Sequence, residues 1–126
     1  MKLYTVPELA PALGQCCHAV RMGNLLYVSG QVPFDVQGNV VGTTVVEQAE
    51  QTLQNLATVL FNCGLTLSDV IKTTVYFVDS DDFPKINKVY ARYFGNHRPT
   101  RAIVEVSRLA KRILVEIEAI AEYSAK

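Results

Sequence analysis

Two kinds of side chain could act together on a small anionic molecule: a guanidinium that grips a carboxylate, and a carboxylate that handles a proton or a water. Both occur in PTRAIVEVSRLAKRILVEIEAIA, residues 99–121. Arg101 follows Pro99, which stiffens the approach, and precedes an apolar run that would hold the guanidinium at the edge of a packed surface. Glu116 and Glu118 alternate with Val115, Ile117 and Ala119, so on a strand the two carboxylates share a face. Two β-branched runs, AIVEV and ILVEIEAIA, flank the polar SRLAKR, and this predicts an antiparallel pair turning near Leu109. Arg101 would then lie across from the Glu116 and Glu118 region, at about 5 Å between opposed residues. The choice between the two carboxylates stays open, because a slip of one residue exchanges the faces. The plainer alternatives are a wet strand face and a surface ion pair of small worth.

Other chemistry-bearing residues are weaker signals. Ser29 falls in a turn-like segment, where a hydroxyl usually caps a chain end, and no base for a nucleophilic serine is evident nearby. His18 and His97 stand alone and read as polar surface or loop residues. Cys16, Cys17 and Cys63 are odd in number, with no CxxC pair and no Cys/His spacing for zinc, which argues against a disulfide framework or a structural metal. Twelve basic side chains balance twelve acidic ones, so no electrostatic footprint for nucleic acid or an anionic membrane is present. The expected partner is a small molecule or a protein. No apolar run approaches the roughly 20 residues of a membrane span, and Met1-Lys2-Leu3-Tyr4 lacks the apolar core of a secretory signal, so the expected location is the cytoplasm.

The elements that must position these residues follow from patterning. With 126 residues, 49% apolar and 19% charged, the chain is expected to fold as one domain spanning 1–126. Residues 2 to 7 suggest a short strand, and Pro11 with Gly14 an irregular loop. CHAVRMGNLLYVSG carries a hairpin signal around Gly23-Asn24, closing at Gly30, with a loop over Asp35 to Gly42. Thr44 and Glu47 form a capping box for a helix with Val46, Ala49, Leu53, Leu56 and Leu60 on one face, ending at Gly64. DVIKTTVYFV reads as a central strand. Asp81 or Asp82 caps a second helix whose stripe is Phe83, Ile86, Val89, Tyr90, Tyr93 and Phe94. Asn87 lies off that stripe, either solvated or aimed at a neighbouring chain. Two helices cannot cover both faces of a sheet of about six strands, which predicts an α+β sandwich with both helices on one face. The open face, still carrying Val, Ile and Ala, then calls for self-association, with any cleft between subunits.

Several segments taken together resemble one family. They are Ala10-Pro11-Ala12-Leu13-Gly14, Gly23-Asn24, Val28-Ser29-Gly30-Gln31-Val32-Pro33, Asp69 through Val75, Asp82-Phe83 with Asn87 and Tyr90, Pro99-Thr100-Arg101, Val104-Glu105-Val106, Arg108-Leu109, and Glu116 through Ala121. In this order and spacing, over nearly the whole chain, they resemble the Rid, or YjgF-like, reactive intermediate deaminases. The resemblance implies a chorismate-mutase-like fold with a six-stranded mixed sheet, a homotrimer with clefts between subunits, and cofactor-free, metal-free hydrolysis of enamines or imines such as 2-aminoacrylate to 2-keto acids and ammonia. It implies that Arg101 grips the substrate carboxylate with help from the backbone amide of Ile103. Glu116 rather than Glu118 holds or activates the water, and Ser29, Gly30 and Asn87 belong to the cleft. One departure stands out. Gly14-Gln15-Cys16 replaces the family's Gly-Pro-Tyr, so an aromatic hydroxyl is missing and Cys16 is either a neutral filler or an altered substrate contact. The departure motivates an alternative, a non-enzymatic trimeric module that binds small carboxylates or a protein.

Overall fold

The computed structural model describes residues 1–12 and 14–124. Its strands are β1 (Lys2–Tyr4), β2 (Ala19–Met22), β3 (Leu25–Gln31), β4 (Val70–Phe77), β5 (Thr100–Glu105) and β6 (Val115–Glu122), and its helices are α1 (Val45–Asn62) and α2 (Phe83–Phe94). The strands form one mixed sheet in the order β1-β2-β3-β6-β4-β5, with β4 and β5 parallel and the other pairs antiparallel. Among the described residues no helix is long and apolar enough to cross a membrane.

Local chemistry sets the two helices. The Thr44 hydroxyl accepts from the Glu47 amide while the Glu47 carboxylate accepts from the Thr44 amide, so the capping box starts α1 as patterned. These bonds to the backbone hold the Glu47 carboxyl below the usual carboxylate range. At the other end Gly64 has φ +83°, with its amide reaching Phe61 O and the Leu65 amide reaching Leu60 O, which is the paired C-terminal closure that only glycine takes without strain. The buried face differs at its first turn from the sequence reading: Val45 is 4% exposed and Val46 38%, because the helix enters on the core side of Thr44. α2 is also started differently. Neither Asp81 nor Asp82 caps it; Asp79 caps a single 3-10 turn over Ser80–Asp82 that runs directly into Phe83, with Pro84 in the first helical turn, where its missing amide costs nothing.

Core residues of both helices, including Leu53, Leu56, Leu60, Ile86 and Val89, pack with Val28, Val75, Val115, Ile117 and Ala119, so both helices cover the same sheet face. Each fully buried Leu or Ile contributes about 1.5–3 kcal/mol through removal from water.

The final antiparallel pair is a correction. β5 and β6 are not neighbours: among the described residues β5 pairs with β4 alone, in parallel, after the α2 crossover, and β6 inserts between β3 and β4. A parallel neighbour requires such a crossover, and β4–α2–β5 supplies it. The segment between β5 and β6 makes no tight hairpin; a 3-10 turn over Ala110–Arg112 includes Lys111 and Arg112 at φ 53° and 57°. The Lys111 ammonium, bonded to Gly38 O at 2.7 Å and over the Phe34 ring at 4.9 Å, ties this excursion to the loop after β3.

Candidate active site

Register decides where the candidate residues face. Arg101 pairs with Thr73, and Thr73 pairs with Ala119, all on the helix-covered face. Glu116 pairs with Tyr76, three positions further along β4 and so on the open face. Arg101 and Glu116 of one chain therefore point away from opposite sides of the sheet, with β4 between their strands. The expectation that they meet within one chain is overturned by strand order and parity alone.

Each residue is nonetheless prepared. The Arg101 guanidinium lies 4.8 Å from the centre of the Tyr90 ring and 5.4 Å from that of Phe83, and its Nη1 donates to Asn87 Oδ1 at 2.8 Å. Tyr90 is itself fixed by a 2.7 Å hydrogen bond to Thr73 Oγ1, and burial pushes its phenol up. The guanidinium is thus oriented by two rings and one amide, with its remaining donors available. Asn87, which the sequence left between solvent and a neighbouring chain, turns to Arg101 of its own chain. Ile103 stands two residues on, on the same face and 47% exposed. Arg101, Tyr90, Phe94, His97 and Pro99 line a shallow cleft of about 410 Å³.

Glu116 belongs to a different cleft, of about 320 Å³, shared with Cys16, Ser29 and Gly30 and otherwise mostly apolar, with Leu9, Pro11, Val32 and Phe34 in its wall. The carboxylate packs directly on the backbone of Gly30. Burial, first, and the Glu118 charge, second, push the Glu116 carboxyl above the usual carboxylate range. Ser29 is not a free hydroxyl at a turn: β3 runs on through Gln31 with a bulge between Val28 and Gln31, and the Ser29 Oγ–H donates to Cys17 O at 2.6 Å. That bond ties the N-terminal segment to the cleft's edge.

Two residues of this cleft were not foreseen. His18, expected at the surface, is buried; its Nδ1 accepts from the Val6 amide and its Nε2 donates to Ala10 O, both at 2.8 Å, so it shapes the loop that walls the cleft. Asn55 of α1 is buried too, and its side-chain amide donates to Val32 O and Phe34 O at 2.8 and 3.0 Å, holding the loop after β3. The available signal for Asn55 was weak, an amide two residues after Leu53 and next to Leu56 in a helix that also carries Gln48, Gln51 and Gln54; His18 carried no comparable signal.

A mixed sheet backed by two helices, with one cleft ending in a carboxylate and another in an oriented guanidinium, defines a YjgF-like α+β protein. The family model described as Endoribonuclease L-PSP matches residues 7–123, and the chain belongs to that family. It is 46% identical over 123 residues to the RutC family protein PH0854 of Pyrococcus horikoshii, covering 96% of this chain and 98% of that one. It is 39% identical over 129 residues, 99% of this chain and 100% of the other, to TdcF of Escherichia coli K12, which is named as a candidate reactive intermediate deaminase. Among solved structures, that of TM0215 from Thermotoga maritima superposes with a TM-score of 0.95 at 40% identity, covering 99% of both chains. That of E. coli TdcF with bound serine superposes with a TM-score of 0.93 at 36% identity, covering 98% of this chain and 100% of that one.

Proposed function

We propose that this protein hydrolyses small enamine or imine carboxylates, of the 2-aminoacrylate kind, to 2-keto acids and ammonia, in sites assembled between the subunits of a homotrimer. The observation that carries this reading is the division of the site: one chain presents a pre-oriented guanidinium on one side of its sheet and a half-buried carboxylate on the other. Copies arranged in a ring bring one subunit's Arg101 to the next subunit's Glu116 at every junction. The name of TdcF and the serine bound in its structure, a small molecule with an α-carboxylate, support the same substrate class.

In such a junction Arg101, with the backbone amide of Ile103, binds the substrate carboxylate bidentately and fixes the adjacent carbon. A water beside Glu116 attacks that carbon of the protonated C=N bond. The water's proton passes through Glu116 to nitrogen, the carbinolamine collapses, ammonia leaves and the C=O bond forms. Acid–base help is worth about 10²–10⁴ and positioning adds to it, enough for an intermediate that already hydrolyses in water. Ser29, Gly30, Asn87 and Cys16 shape the two sides.

The test generates 2-aminoacrylate in situ with a dehydratase and follows keto-acid formation. Acceleration over buffer by the intact protein and its loss in Arg101→Ala is the expected result; no acceleration, or full activity of Arg101→Ala, removes the reading. A second reading, a trimeric module that binds small carboxylates without turning them over, draws on the exposed Gln15-Cys16 segment at the cleft wall. Calorimetric binding of 2-ketobutyrate by a protein that shows no turnover would favour it.

A further inference from the structure

Glu116 does not stand alone on the open face. Glu118 follows two positions along β6 on the same side, about 7 Å away by strand geometry, and is half-buried as Glu116 is. Between the neighbouring strands the contacts interlock: Tyr76 of β4 sits opposite Glu116 in the ladder, yet its hydroxyl donates to Glu118 Oε1 at 3.3 Å. A phenol that spans the pair diagonally holds one carboxylate and leaves the other free to face the cleft.

We propose that Glu118, held by the Tyr76 hydroxyl, is a positioning residue for Glu116: its carboxylate on the same face biases the shared proton toward Glu116 once the substrate carboxylate has engaged the facing Arg101, so that Glu116 acts as the acid. This rests on the hydrolytic reading above and assigns the order of its proton steps. Glu116–COOH first gives its proton to the imine nitrogen, or to the terminal carbon of an enamine. The resulting carboxylate then takes a proton from the attacking water and passes it to the carbinolamine nitrogen; as ammonia departs and the C=O bond forms, the carboxylate takes the carbinol hydroxyl proton, which restores the acid. Two carboxylates close together on a half-buried face do not both ionise freely, and the one without a donor takes the proton.

The surroundings agree. Gly30 on β3 brings no titratable group against Glu116, and Asn55 on α1 is uncharged. From the N-terminal segment, His18 and Cys16 line the same cleft, and His18 has both ring nitrogens engaged with backbone. In the proposed junction the neighbouring subunit's Arg101 faces Glu116 and opposes this bias until the substrate carboxylate engages it, and Lys72 of β4 stands on the same open face four positions from Tyr76. Burial and the Glu118 charge both raise the proton affinity of Glu116.

The experiment reads two quantities on the intact protein and on Glu118→Gln and Tyr76→Phe. One is the carboxyl carbon resonance of Glu116 as a function of pH without substrate, assigned with Glu116→Gln. The other is the pH profile of kcat and KM in the deamination assay. In Glu118→Gln the Glu116 midpoint moves to lower pH and the alkaline fall in kcat moves with it. At neutral pH kcat drops roughly 3- to 10-fold with KM within about twofold. Tyr76→Phe, which frees Glu118 to swing away, moves the midpoint part of the same distance. A Glu116 midpoint unchanged in folded Glu118→Gln overturns the proposal. If the protein shows no deamination at all, the resonance titration still decides the carboxylate coupling, while the hydrolytic reading falls separately.

Discussion

A carboxylate occupies the space beside residue 30 only because that residue has no side chain. A Cβ at Gly30 would overlap Glu116 Oε2 and press on the carboxyl carbon behind it, and the three atoms nearest to it all belong to the Glu116 side chain. Here glycine is required by close approach, since its φ is not in the left-handed region. Gly30→Ala therefore leaves the fold in place while driving the Glu116 carboxylate out of the cleft. Its expected signature is an unchanged far-ultraviolet circular dichroism spectrum with kcat for 2-aminoacrylate lowered about 10²-fold, the size of a lost acid–base group. An active Gly30→Ala protein would show that Glu116 works from some other position. Arg101 contrasts with this: it is held from outside by Tyr90, Phe83 and Asn87 rather than admitted by a gap, and all four residues belong to one helix and the strand after it.

At the scale of elements, what could be read from the chain is what neighbours in sequence decide. The Gly23-Asn24 hairpin, the Thr44/Glu47 box and the Gly64 closure each depend on residues within about five positions of one another, and each forms as patterned. The pairing of residues 99–121 depends instead on where β4 and α2 go. Local pattern suggested a hairpin, whereas the α2 crossover leaves β5 as an edge strand and β6 to fill the slot beside β3. Of the candidate site residues, Arg101 and Glu116 were visible by type and the preference for Glu116 came from the family resemblance. Their placement on opposite faces was invisible because parity propagates through a third strand. Asn55 shows the same limit from inside a helix: one amide among several in α1, it is set apart only by partners that lie more than 20 residues away. Asn55→Leu keeps the helix but leaves Val32 O and Phe34 O without their donor, a loss of about 2–3 kcal/mol. A lowered urea midpoint with an unchanged slope is the expected reading; an unshifted midpoint would mean that water satisfies those carbonyls and that α1 does not brace the cleft.

For the whole molecule, the open sheet face and the split site are one problem. That face carries Tyr27, Ile120 and Val104 among Glu116, Glu118, Lys72 and Thr74, a mixture too apolar to be a preferred wet surface and too polar for a core. On the proposed reading, a ring of copies would cover it and complete the chemistry in the same step, making activity a property of junctions between chains. The consequence is open to a mixing experiment. Arg101→Ala and Glu116→Gln are each expected to be inactive alone, because every such junction would lack one of the two groups. When equal amounts are unfolded together and refolded, a junction works if its guanidinium comes from a Glu116→Gln chain and its carboxylate from an Arg101→Ala chain. Random assembly makes this true of about one junction in four, so about a quarter of wild-type activity returns. Sites contained within single chains would give no recovery at any mixing ratio, because no chain in the mixture carries both groups; that result, obtained with mixed assemblies verified by mass, would end the shared-site account.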